Sequence, residues 1–218
     1  MATTYFKQAG ITVFPPRRVG GAKCVLDAVL AAEPWREGVE WPDGFEGGIA
    51  HRLDTHTSGA LLVADSTEEL AMIRAAFPRK LWRKTYRMRA ARQVGWETNQ
   101  CVFEIAHDRR KKGKMVVRRG ANTPHRGKWY PAESMFTHLW RDVWEVTITT
   151  GVTHQIRVHA AFLGLPLLGD RRYGGGEAPE DSPSGGFYLH HVGMVGPDGL
   201  KTEQVPLPDW SIKDQDPV

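Results

Sequence analysis

Three side chains able to hold or move charge fall in one short turn of the sequence. The stretch GGIAHRLDTHTSGALLVADS, residues 47–66, sets His51, Arg52 and Asp54 between a glycine pair and an apolar run. A carboxylate placed this way has three available roles. It can be a nucleophile, a general base, or the acceptor that closes an Asx turn by bonding the backbone near Thr57. The first two roles need a cation to hold the carboxylate ionised once water is excluded. Arg157, in the separate motif THQIRVHAAFLG (153–164), can supply it through a charge-assisted hydrogen bond. The local pattern by itself leaves turn and chemistry both open.

Other chemistries fit less well. His51, His56, His154 and His159 flank the same two motifs. His154 and His159 are five apart, however, so a helix turns them to different faces, whereas helical zinc pairs sit at i and i+4. No Cys or Glu supports them at ligand spacing, so no metal is expected, and hydrogen bonds that brace the turns are the expected role. The glycines of YGGGEAPEDSPSGG (173–186) lack the GK[ST] of a phosphate loop, and no G-x-S-x-G elbow marks a serine nucleophile. A glycosidase would need a second carboxylate at suitable separation. Glu46, the nearest before the motif, carries no mark of that role.

The elements that must position these residues follow from periodicity. GALLVAD (59–65) reads as a buried strand leaving the turn. In STEELAMIRAAF, Ser66 and Glu69 have capping-box spacing, and Leu70, Ile73 and Phe77 make one helical face that Pro78 ends. KTYRMRA alternates, with Tyr86, Met88 and Ala90 on the buried side and Thr85, Arg87 and Arg89 outward. VWEVTITT (143–150) buries Trp144, Val146 and Ile148. The last motif reads as a helix with Thr153 as N-cap, Gly164 as C′ residue and Ile156, Ala160 and Leu163 along one side. Residues 107–135 read as a basic hairpin or long connection, 173–186 as a mobile loop, and the tail after Pro206 as loosely ordered. Strands outnumber helices in hairpin-like groups, which predicts one α+β domain on a mixed, largely antiparallel sheet flanked by helices and loops.

Composition bounds the partners. With 218 residues, 41% hydrophobic and 10% aromatic, the chain can build a packed core. No run approaches the roughly 20 apolar residues of a membrane span, and the first residues lack the regions of a secretory signal. Cys24 and Cys101 make no disulfide framework, so a reducing cytoplasmic setting is expected. Net charge is only +4, but the charge is clustered. In RRKKGKMVVRR (109–119) seven of eleven residues are Lys or Arg, and RKLWRKTYRMRAAR (79–92) is a second basic run. Cations beside Trp and Tyr suit a nucleic-acid backbone, and Arg109, Arg110, Lys111 and Lys112 are the candidate phosphate contacts.

Three motifs, in order, resemble those of one family. HRLDTHTSGALLVA (51–64) resembles the HRLDxxTSGxLLxA signature of RluA-type pseudouridine synthases, and RKTYRM (83–88) resembles its KxY motif. TGVTHQIRVHAAFLGLPLLGDRRYGG (150–175) is similar to its TGRTHQIRVHxxxxGxPIxGDxxYG block. FKQAGITVFP and FYLHHVGM extend the likeness to about residues 5–195. The resemblance implies the pseudouridine synthase fold and isomerisation of uridine in RNA, with no cofactor and no metal. Structured tRNA or rRNA is the expected substrate, and a monomer without an obligatory protein partner is expected because a basic RNA-facing surface needs no second subunit. It implies Asp54 as nucleophile, Arg157 as the partner that holds it ionised, and Tyr86 stacked on the uracil and active in proton transfer. Arg52 would extrude the nucleotide and brace the vacated space, with His51 and Thr57 beside it on the substrate side.

The departures are Val152 for the arginine of TGRTHQ, His191 for the late alanine, and an opening FPPRRVGGAK without the usual loop. No S4-type extension is expected ahead of the motifs, so target choice is expected to rest on the catalytic domain and its basic insert. The rival from another class is an RNA-binding or RNA-folding protein that keeps the fold without catalysis. Such a protein has no need of Asp54, Tyr86 and Arg157 together.

Overall fold

A computed structural model describes residues 2–15 and 23–213. The strands in chain order are β1 (Thr3–Lys7), β2 (Ser58–Val63), β3 (Arg83–Arg89), β4 (Thr98–Cys101), β5 (Ile105–Asp108), β6 (Met115–Val117), β7 (His125–Tyr130), β8 (Ser134–Trp140), β9 (Val143–Ile148) and β10 (Leu189–Val195). The helices are α1 (Val25–Ala32), α2 (Thr67–Ala76) and α3 (Gln155–Phe162). Seven strands form one sheet in the order β1-β2-β10-β3-β9-β8-β4, and β6-β5-β7 form a second. In the large sheet only β10 and β2 run parallel, so it is the mixed, largely antiparallel α+β arrangement expected. Among the described residues no helix is long and apolar enough to cross a membrane.

Alternation along β2 divides the core. Leu61 and Val63 face one side with Met88, Trp144 and Val146, covered by α1 and α3 through Val29, Ile156 and Ala160. Leu62 and Ala64 face the other side, where α2 packs Leu70 and Ile73 beside Trp82. Both faces of β2 are covered, which is why it reads as an unbroken apolar run. At the start of α2, Ser66 accepts from the Glu69 amide at 3.2 Å as predicted. Glu69 does not return the bond to Ser66; its carboxylate takes the amides of Asp65 and Ala2, both at 2.8 Å.

The α3 helix departs from the expected cap. Its N-cap is His154, not Thr153, in a left-handed conformation with φ 56 and ψ 19, and Thr153 is exposed. The C-terminal expectation holds. Gly164, at φ +82, donates to Ala161 O, and the Leu165 amide reaches Ala160 O, which is a Schellman closure.

The basic segment is more structured than a connection. It forms the three-stranded sheet, whose Ile105, Met115 and Val117 pack on Val158 of α3 and on Tyr173. Val152 joins this apolar cluster. Arg109, Arg110, Lys111 and Lys112 sit exposed in the β5–β6 turn. Asp108 closes that turn by accepting the amides of Arg110 (2.7 Å) and Lys111 (3.2 Å). The loop 173–186 is tied down by Gly175 N to Asp170 O (2.8 Å) and by the Tyr188 hydroxyl on Asp181 (2.8 Å). Trp210 of the tail sets its edge on Tyr188, and Ser211 O accepts from Arg87. Residues 214–218 of the tail and residues 16–22 of FPPRRVGGAK lie outside the described residues.

Candidate active site

The turn after HRL is closed by backbone. The Thr57 amide donates to the Asp54 carbonyl at 3.0 Å, so the carboxylate is not needed as a cap. Beneath the turn lies Lys7, the last residue of β1 and fully buried. Its Nζ donates to the carbonyls of Gln8 (3.0 Å), Thr55 (2.9 Å) and Thr57 (2.6 Å), which fixes both arms of the turn. Burial lowers the Lys7 pKa to about 8, and the Asp54 charge acts against that shift. Next along the chain, Gly59 has φ +121 and pairs in parallel with His191. A Cβ there would lie 2.1 Å from the His191 carbonyl oxygen, so only glycine lets β10 lie beside the turn.

Arg157 meets the carboxylate from α3. Its Nη1 donates to Asp54 Oδ2 at 3.2 Å. The rest of the fork is held by Asp170, with Nε on Oδ2 at 2.7 Å and Nη2 on Oδ1 at 3.0 Å. The guanidinium carbon lies 4.3 Å from the Phe187 ring centroid and 5.0 Å from that of Tyr173. Burial opposes the Arg157 charge, but bonding to Asp170 and the nearby Asp54 outweigh it and raise the pKa. A permanently charged fork is thus aimed at a carboxylate whose side chain is 30% exposed.

Tyr86 projects from β3 on the same side and is buried. Burial, then the Asp54 charge, push its pKa up, so the hydroxyl stays protonated. His191 lies against it, with ring centroids 4.6 Å apart. The His191 Nδ1 donates to Ala60 O at 2.6 Å, and burial lowers its pKa to about 4, so it is a neutral packing partner. The departure from alanine at this position therefore backs the tyrosine ring.

The substrate-side residues divide. Arg52 is exposed, and its side chain makes no hydrogen bond or ion pair among the described residues. His51 and Thr57 turn inward instead. His51 Nε2 accepts from the Leu62 amide at 3.2 Å, its ring packs on Phe77 and His191, and burial lowers its pKa well below the usual range. Thr57 is 2% exposed and serves the turn through its backbone. They brace the loop from behind, since the turn exposes Arg52 and Thr55 in their place. His154 reaches the site, with Nε2 3.9 Å from Asp54 Oδ2, whereas His159 bonds Ser134 Oγ and Phe103 O. Among the described residues no three His, Cys, Asp or Glu side chains group to hold a metal ion. Glu46 is exposed and bonds the Gly44 amide (3.0 Å), so the second carboxylate of the cluster is Asp170, committed to Arg157.

Sequence reasoning assigned no role to Lys7, Asp170, Tyr173 or Phe187, and expected of His154 only a hydrogen bond that braces its turn. Lys7 had a signal, a cation at the end of the strand TTYFK. Asp170 stands beside two arginines in GDRRYGG, where a local pair is the natural expectation; its partner is Arg157 instead.

Comparison with known proteins bears on this geometry. The family described as RNA pseudouridylate synthase matches residues 7–162. An uncharacterised RNA pseudouridine synthase of Synechocystis is 31% identical over 198 residues, covering 88% of this chain and 58% of the relative. A second from the same organism is 37% identical over 178 residues, covering 72% and 57%. The ribosomal large subunit pseudouridine synthase C of Vibrio cholerae is 35% identical over 131 residues, covering 58% and 38%. The chain thus spans less than two thirds of the length of these curated relatives. In structure, human RNA pseudouridylate synthase domain containing 4 matches with a TM-score of 0.70 at 20% identity, covering 96% of this chain and 87% of that one. That likeness concerns the fold.

Proposed function

The chain belongs to the RNA pseudouridylate synthase family, and on that premise we propose that it isomerises uridine to pseudouridine in a structured tRNA or rRNA, with Asp54 as the nucleophile. The observation that carries the reading is the Asp54–Arg157–Asp170 arrangement, a solvent-reachable carboxylate on a guanidinium fixed from behind. Uridine C1′ and C6 are enclosed in stacked RNA, so the nucleotide is first flipped out at a cost of about a few kcal/mol. Arg52, exposed beside the carboxylate, is suited to fill the vacated space. Tyr86 offers a ring against the uracil, and such stacking contributes about 1–3 kcal/mol.

Attack of Asp54 on C1′ breaks the N1–C1′ bond and leaves a glycosyl ester and a uracil anion held in the pocket. The uracil rotates, C5 displaces the carboxylate from C1′, the C5 proton is lost, and N1 ends protonated. Addition of Asp54 to C6 is the alternative start. Tyr86 is held protonated, which favours the released Asp54 carboxylate as acceptor of the C5 proton. Arg109, Arg110, Lys111 and Lys112 contact phosphate from the hairpin turn, and the protein acts as a cytoplasmic monomer without a cofactor. Mapping pseudouridines in total RNA from cells with the protein, without it, and with Asp54→Ala tests this. One or a few sites disappear in both altered strains. Sites that persist with Asp54→Ala but vanish on deletion would refute the nucleophile assignment.

A further inference from the structure

We propose that Tyr173 and His154 are positioning residues for Asp54: the Tyr173 hydroxyl fixes the tautomer of His154 so that an Nε2–H faces the Asp54 carboxylate. The inference rests on the functional reading above only for its kinetic consequence. The chain of contacts begins on the basic hairpin, where the Met115 amide of β6 donates to the Tyr173 hydroxyl oxygen at 2.8 Å in a buried bond. The same oxygen lies 2.9 Å from His154 Nδ1. On the far side of that ring, Nε2 stands 3.9 Å from Asp54 Oδ2.

The direction of the chain follows from proton counting. A hydroxyl has one proton and the Met115 amide has already taken an acceptor position on its oxygen. Tyr173 is buried, so a hydroxyl proton without an acceptor would be costly, and His154 Nδ1 is the acceptor within reach. With Nδ1 accepting, the neutral ring carries its proton on Nε2, towards a carboxylate; the other tautomer would present a lone pair to that charge. Burial lowers the His154 pKa and raises that of Tyr173 to about 12, so both are in the required protonation states near pH 7. The placement is costly enough to require an account. His154 is a non-glycine N-cap at φ 56 with no side-chain capping bond, and such left-handed positions persist where surrounding contacts enforce them. Here the contact is the hydroxyl on Nδ1. The Tyr173 ring also lies beneath Arg157, 5.0 Å from its guanidinium carbon, so one side chain touches both groups that address Asp54.

The test has two readouts on the full chain. In spectra of protein with ¹⁵N-labelled histidine, His154 shows the Nε2–H tautomer, and Tyr173→Phe, which keeps the ring, shifts it towards a mixture. An Nδ1–H tautomer in the unaltered protein overturns the proposal. The second readout uses a transcript carrying the mapped uridine. Tyr173→Phe lowers the single-turnover rate at saturating RNA about tenfold and leaves Kd within about twofold. His154→Gln keeps an N–H donor that needs no tautomer control, so adding Tyr173→Phe to it lowers the rate little further. Multiplicative losses in that double variant overturn the relay. A protein with the predicted tautomer that makes no pseudouridine in any RNA instead refutes the functional reading and leaves the tautomer assignment standing.

Discussion

Replacing Asp170 by Asn and Asp54 by Asn removes in each case one carboxylate from the Arg157 guanidinium, and the costs follow from burial and geometry. Asp170 is 1% exposed at its side chain and receives two charge-assisted bonds, of 2.7 and 3.0 Å. An asparagine keeps one acceptor and turns an NH₂ group towards guanidinium N–H groups. Breaking one side of a buried pair costs about 3–5 kcal/mol, and with Asp54 left as a counter-ion the lower end applies. For a chain of this size about 3 kcal/mol corresponds to a fall in Tm of roughly 6–12 °C. Asp54 is 30% exposed and makes one bond of 3.2 Å, a partly solvated pair worth about 1 kcal/mol or less. Asp54→Asn therefore leaves Tm within a few degrees and stops turnover, whereas Asp170→Asn destabilises the fold and slows turnover through a misdirected Arg157. Calorimetry and single-turnover kinetics on the two variants check this. An Asp170→Asn protein as stable as the parent, or an Asp54→Asn protein equally destabilised, refutes the division of labour.

The other predictions concern the turn, the buried histidines and the hairpin. Lys7→Met preserves bulk but strips three carbonyls of their donor, so urea unfolding shows a loss of about 3 kcal/mol or more and turnover drops as the Asp54 turn loosens. His159, His190 and His191 are buried and titrate at about 4, whereas the unfolded chain binds their protons near 6.5. Between those values the unfolded state holds more protons, so stability falls as pH drops from about 6.5 to 4, by several kcal/mol in all. A urea midpoint that stays level from pH 7 to 5 contradicts this. Replacing Arg109, Arg110, Lys111 and Lys112 with alanine weakens RNA binding and reduces the slope of log K against log salt by up to about 3, measured by titration at several salt concentrations. An unchanged slope removes the hairpin turn from the phosphate-binding surface.

What the sequence disclosed was governed by the range of each interaction. β2, β3, β9 and α2 were legible because alternation or helical spacing over a few residues sets which face is buried. The placement of β10 between β2 and β3 was not, since His191 pairs with Gly59 and Tyr86 from more than a hundred residues away. At the site, Asp54 and Arg157 were visible as residue types whose chemistry needs each other. Asp170 was hidden because its value lies in two bonds to a guanidinium thirteen residues back, behind an intervening loop. The start of α3 was misplaced because Thr153 is the better cap by type, while tertiary contacts on His154 decide the boundary. Likewise His51 and Thr57 belonged to the right motif but face inward, a distinction that the turn geometry alone makes.

In the proposed reaction Asp54 carries uridine through breakage of N1–C1′ and formation of C5–C1′. That exchange expels the hydrogen on C5, so tritium released from RNA labelled at uridine C5 measures it directly. With RNA prepared from cells lacking the protein, the purified parent protein is predicted to release tritium in step with pseudouridine formation, and Asp54→Asn to release none. Release by Asp54→Asn at the parent rate would contradict the account.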